Sequence, residues 1–171
     1  SSVDNIKILG KILDLEKFYM NKVFDSVICG IGYKHLDFRE NLFNQLQDKI
    51  DFANLIHSSC HLDASCNIGK GIFMLPDSVL DHNVTIENNV VVNLSTTIAH
   101  DSLIGAHSLI SPKVAIAGFV TIGKRCNIGI NSTIIDNINI TDGVQTGGGT
   151  VVIENLIRKG LYVGNPSRFI R

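Results

Sequence analysis

A chain of 171 residues has room for one ordinary domain with a small appendage, and can bury a core without disulfide or metal staples. Fifteen Lys and Arg against sixteen Asp and Glu leave a formal charge of −1 with no block of like charge, which argues against nucleic acid or an anionic membrane surface as partner. No apolar run approaches the roughly 20 residues of a bilayer span, so no membrane insertion is expected and the abundant Ile must be buried within the protein. Cys29, Cys60, Cys66 and Cys126 form no Cys-x-x-Cys pair, and no secretory-type stretch opens the sequence, so the cysteines read as reduced thiols of a cytoplasmic protein.

In chain order, Val23–Gly32 reads as a buried strand ending in a glycine turn. Residues 34–49 then place Leu36, Phe43 and Leu46 on one helical face, and residues 52–56 offer another strand. A strand, a Gly-rich turn and a helix make half of a nucleotide-binding α/β unit, so Gly30, Gly32 and Lys34 are candidates to meet a substrate phosphate at the helix N-terminus. A plain structural turn is the alternative.

From Leu62 every sixth residue is aliphatic, through Ile68, Met74, Leu80, Ile86 and Val92 and then unbroken Ile to Ile140. A period of six fits neither the 3.6 residues of a helix nor the 2 of a free-standing strand. It is the mark of a β-solenoid, whose units cannot bury their apolar residue alone and must stack. One place after the aliphatic stand Gly69, Ala99, Gly105, Ala117, Gly123 and Gly129. Three places on stand Gly71, Asn83, Asn89, Asn131, Asn137 and Gly143, types that tolerate left-handed backbone. Four places on, small or β-branched residues recur, as at Ser78, Val84, Thr96, Ser102 and Val120. Each hexapeptide therefore reads as a short strand plus a corner.

After the repeat, Gly147–Gly149 precede a strand over residues 150–153, and Tyr162 to Arg168 close the chain as a cap over the solenoid's open edge.

The repeat resembles the hexapeptide-repeat family, and three stretches are similar to one branch of it. They are Leu55-Ile56-His57-Ser58-Ser59, Ile98-Ala99-His100-Asp101-Ser102-Leu103-Ile104-Gly105 followed by Ile110-Ser111-Pro112, and Val163-Gly164-Asn165-Pro166-Ser167. They look like the nucleotide-sugar N-acetyltransferases and sialic-acid-type O-acetyltransferases of bacterial surface-glycan and lipopolysaccharide biosynthesis, and the resemblance runs from about residue 8 onward. It implies a mainly β fold, a left-handed parallel β-helix with three hexapeptides per 18-residue coil of a triangular prism. Residues 1–56 would form a partial nucleotide-binding-like α/β subdomain and residues 57–171 the acyltransferase β-helix with its cap.

The resemblance also implies acetyl-CoA as co-substrate, a nucleotide-linked 4-amino-4,6-dideoxy sugar as acceptor, and no metal. It makes His100 the general base and Asp101 the acid that orients it, and it assigns Gly118, 18 residues past His100, as backbone donor to the thioester oxygen. Imidazole titrates near neutral pH, which suits it to take a proton from an attacking amine or hydroxyl. His82, 18 residues before His100, should stack beside it and is a candidate substrate contact. His107 has no counterpart in the family pattern, and His57 and His61 flanking Cys60 suggest a metal only weakly, since His57 falls in a structural motif.

Two departures stand out. The strand and glycine-rich loop that usually open such proteins do not precede Ser1, so either the implied nucleotide site is incomplete or the sequence is a fragment, and Leu109 stands where many members carry a second histidine. Sugar O-acetylation remains an alternative, as does a non-catalytic scaffold. A zinc hydratase on the same solenoid would need a His-x4-His pair, which the sequence lacks. Outward apolar residues such as Val91, Leu94, Leu103 and Leu109 predict a homotrimer that buries such faces. Acetyl-CoA is expected along a prism edge between subunits, its pantetheine running toward Asn165 and Pro166, with the acceptor entering from the N-terminal end where Gly30 to Lys34 sit.

Overall fold

The computed structural model describes residues 2–3 and 6–171. It bears out a mainly β architecture, a parallel β-solenoid of about six turns with two short helices near the N-terminus. Every repeat is a two-residue strand and a corner, and every sixth residue from Gly71 to Gly149 has a positive φ, between 54° and 71°. The corners reach further than the Asn and Gly positions suggest. Asp101, His107, Lys113, Phe119 and Arg125 adopt the same left-handed turn, because strands on both sides leave the backbone no other course.

The strands stack into three faces. Face 1 runs from His61–Leu62 to Val151–Val152, and face 2 from Asn67–Ile68 to Asn139–Ile140. Face 3 runs from Leu55–Ile56 to Leu161–Val163 in parallel, with Arg168–Phe169 added antiparallel at its end. Partners lie 18 residues apart, as where Thr97 pairs with both Val79 and Ala115. The register changes only near the cap, where Thr146 faces Tyr162.

Inside the prism the sixth-residue aliphatics form one column per face. Ile98, Ile104, Ile110, Ile122 and Ile128 are wholly buried, each worth roughly 1.5–3 kcal/mol relative to exposure. The small residues four places on turn in at the corners, and their polar atoms are accounted for. Ser78, Ser102 and Ser108 donate to the carbonyls of Asn93, Ala117 and Gly123 in the next coil, at 2.8, 3.0 and 2.9 Å. Cys60, Cys66 and Cys126 occupy the same place and reach the carbonyls of Leu75, Asp81 and Thr141. Burial pushes the Cys126 thiol up to about 11 and raises that of Cys66, as expected of thiols held in packing positions.

The N-terminal region differs from its expected form in three ways. A short helix, α1 (Leu15–Met20), follows a 3-10 turn at Ile12–Asp14 where the sequence pattern was silent. The second helix, α2 (Leu36–Leu46), is shorter than residues 34–49 and starts from a 3-10 turn at Tyr33–His35. Its inner face holds Leu36, Phe43 and Leu46 as expected, and also the fully buried Arg39. The strand expected over Val23–Gly32 does not form. Only Val27 pairs, in a single bridge to Phe52, while Leu55–Ile56 already belongs to the solenoid. Cys29 to Gly32 instead lie outside face 3 and share a cleft with Phe73, Leu75, Val91 and Leu109. Cys29 and Ile31 pack into the small core formed by Phe43, Leu46, Ile50 and Phe52.

Candidate active site

His100 and Asp101 occupy the edge between faces 1 and 2, at the corner joining Thr97–Ile98 to Leu103–Ile104. The second corner position points outward, and the left-handed φ of 56° at Asp101 turns its carboxylate back toward the preceding ring. Asp101 Oδ2 lies 3.0 Å from His100 Nδ1. A carboxylate only accepts, so Nδ1 donates and the Nε2 lone pair is left free for a substrate proton. The His100 side chain is 46% exposed, open enough for a ligand to reach. Hydrogen bonds from His100, and then from Asn83, hold the Asp101 carboxyl below the usual carboxylate range, so it stays ionised at neutral pH.

Gly118 lies one coil further on, against the His100 ring. A β-carbon there would stand 2.6 Å from Cε1 and 2.8 Å from Nε2 of His100, so no other residue fits without displacing the imidazole. Among the described residues the Gly118 N–H has no hydrogen-bond acceptor. A free imidazole nitrogen and an unengaged N–H on the glycine packed against its ring are groups that acyl transfer can use, a base for the nucleophile and a donor for the developing oxyanion.

Phe119 packs on the His100 ring and was not anticipated. Its ring meets that of His100 edge to face at 5.1 Å and 87°, and it holds a φ of 58° that is unusual for a bulky residue. The available signal was a corner position filled by an aromatic where the repeat favours Asn or Gly. Asn83, singled out only as a corner, donates from Nδ2 to Asp101 Oδ1 at 3.2 Å.

His82 stands one coil before His100 on the same edge, as its spacing predicted, and its carbonyl accepts from the Asp101 N–H. Its Nδ1 lies 3.0 Å from Ser65 Oγ and 3.5 Å from Asp63 Oδ1. Ser65 Oγ donates to Asp63 and accepts from the Asn83 N–H, so the His82 contact is completed by its own Nδ1–H. Its Nε2 is left outward, as on His100.

No family model matches the sequence, and no curated protein matches it. Solved structures do. The chain is similar to PerB of Caulobacter crescentus, a structure with CoA and GDP-perosamine, with a TM-score of 0.94 and 23% identity over 99% of this chain and 81% of that one. The acetyltransferase domain of PglB from Neisseria gonorrhoeae FA1090 matches with a TM-score of 0.90, 23% identity, 99% of this chain and 82% of its own. WeeI from Acinetobacter baumannii AYE matches at 0.87 and 23%, over 99% and 81%. At this identity the likeness establishes the fold.

The other expected site residues are dispersed. Asn165 and Pro166 lie beyond the last strand of face 1, where the Gly164 carbonyl accepts from the Val151 N–H and Ser167 N–H bonds back to Val151. Between them and His100 the edge carries Ala117 and the exposed Ile135 and Ile153, an apolar stripe about four strand spacings long, on the order of 19 Å.

Gly30 and Gly32 lie against face 3, across the prism from the His100 edge, and Lys34 follows them on the exposed turn before α2. They therefore flank the middle coils and not the N-terminal end from which the acceptor was expected. Neither glycine has a protein atom within 4 Å of the position its β-carbon would take, so their surroundings are open. The same segment lies beside Val91 and Leu109, two of the residues whose exposure suggested a trimer. Leu109 is buried within its own chain.

His107 is also buried, at the edge between faces 2 and 3, where its Nδ1 meets Asn89 Nδ2 at 3.0 Å and its ring packs on Phe43 of α2. It is a docking residue for the helix. His57 Nδ1 accepts from the Ser59 N–H in a local turn, and among the described residues no three His, Cys, Asp or Glu side chains converge on a possible metal position.

Proposed function

We propose that this chain is an acetyl-CoA-dependent acetyltransferase acting on the amino group of a nucleotide-linked sugar. The observation that carries the reading is the free Nε2 of a carboxylate-anchored imidazole packed against Gly118, a residue whose N–H has no acceptor among the described residues. The fold's likeness to a GDP-perosamine N-acetyltransferase in complex with CoA and its sugar supports it.

His100 Nε2 takes a proton from the amine as its nitrogen bonds to the thioester carbonyl carbon. Gly118 donates its N–H to the oxygen as negative charge gathers there. Asp101 steadies the imidazolium, and His100 returns the proton to the sulfur as the carbon–sulfur bond breaks. The stripe of Ala117, Ile135 and Ile153 suits the apolar stretches of pantetheine, ending near Asn165 and Pro166, while Gly30, Gly32, Lys34 and His82 are the acceptor-side residues.

Because Gly30 to Lys34 and His100 lie on opposite sides of one prism, the two halves of such a site meet between copies, which favours a homotrimer. The reading further assigns the enzyme to a cytoplasmic step of surface-glycan synthesis. Incubation with acetyl-CoA and a panel of nucleotide amino sugars, including GDP-perosamine, tests it by CoA release. Acetylation of a hydroxyl-only panel instead would move the assignment to an O-acetyltransferase, and no turnover with any sugar would favour a scaffold.

A further inference from the structure

We infer that Asn83 is a positioning residue that fixes the Asp101 carboxylate, and through it the tautomer and orientation of His100. The inference rests on the reading of His100 as the base and extends it to a coil that does not itself touch the reacting atoms. Asn83 is the corner residue stacked beneath Asp101, and its side-chain amide donates to Oδ1 at 3.2 Å while Oδ2 meets His100 Nδ1. With one oxygen engaged from below, the carboxylate plane cannot swing without losing a bond, and the ring that hangs on its other oxygen is held too.

Asn83 is itself fixed at both ends. Its N–H donates to Ser65 Oγ at 2.8 Å, and Ser65 Oγ bonds to Asp63, so three successive coils form one chain of hydrogen bonds leading to His100. The backbone at Asn83 is left-handed, with φ 56°, which Asn, Asp and Gly all adopt at low cost. Corner geometry alone is thus satisfied by any of the three, and only the amide donor distinguishes Asn.

That equivalence makes the test. The groups facing Asp101 are His100 at the same corner and Asn83 and His82 from the coil below, while the uncharged Phe119 ring packs on His100. The 171-residue protein is labelled for NMR, and the Asp101 carboxyl and the His100 ring nitrogens are titrated in the wild type, Asn83→Gly and Asn83→Asp. Positioning predicts that the Asp101 midpoint rises in Asn83→Gly and rises further in Asn83→Asp, where a like charge replaces the donor. It also predicts that the share of Nδ1–H tautomer at His100 falls, and that kcat drops roughly 2- to 10-fold in the Gly variant, the worth of one net hydrogen bond, with KM for acetyl-CoA unchanged. An Asp101 midpoint and a His100 tautomer unchanged in a folded Asn83→Gly protein would overturn the inference, whatever the turnover. Undiminished turnover in His100→Ala, by contrast, would strike the assignment of the base and leave the NMR result standing.

Discussion

The His100 ring lies so close against Gly118 that a single methyl group would collide with it, at 2.6 Å from Cε1 and 2.8 Å from Nε2. Gly118→Ala keeps the backbone N–H, so it isolates the displacement of the imidazole from the loss of the donor. We expect kcat to fall about 10²-fold, the range in which misplacing a catalytic group costs, with melting temperature nearly unchanged. Steady-state kinetics beside a thermal melt checks this, and equal activity would mean that ring placement is immaterial.

Phe119 holds a left-handed φ that a bulky side chain adopts at a cost, while its ring braces His100. Phe119→Asn relieves the backbone and removes the brace. The melting temperature should stay level or rise while kcat falls several-fold, the usual exchange where a strained residue serves a site. A drop in stability with full activity would show that Phe119 is there only for packing.

Burial lowers the pKa of His107 against the opposing attraction of Glu40. The folded state therefore resists protonation, while the unfolded chain takes up a proton near pH 6.5. Stability from this group is present above that value and declines as pH falls from about 6.5 toward the lowered folded pKa. Melting curves should show this decline, and His107→Asn, which suits the left-handed corner, should flatten it.

The repeat made most of the fold legible, because a period of six leaves one inward column and one corner per hexapeptide, and Ile98 or Ser102 can go nowhere else. The site was legible as far as stacking reaches. An 18-residue coil puts His82, His100 and Gly118 on one edge by arithmetic alone. The N-terminal region was not, since Cys29 to Gly32 have the apolar look of a strand and are instead held by packing of Cys29 and Ile31 against Phe43, Leu46, Ile50 and Phe52, which no local pattern encodes. Phe119 and Asn83 were missed for a related reason. Their roles depend on which way a side chain leaves a corner.

Gly30 to Lys34 and His100 cannot meet within one prism, so two defective copies should repair one another. Mixing His100→Ala with a variant blocked on the acceptor side, Gly32→Trp, should restore a fraction of wild-type turnover after subunit exchange, and light scattering should give a trimer. Additive inactivity in a mixed oligomer, or a monomer with full activity, would place the whole site in one chain.

The central claim is that His100 is the general base of an acetyl transfer. The most direct measurement is turnover of acetyl-CoA with the best nucleotide amino sugar by wild type and His100→Ala, with melting curves run in parallel. His100→Ala should lower kcat by roughly 10² to 10⁴ in a protein that still melts like the wild type. Near-normal turnover in His100→Ala would contradict it.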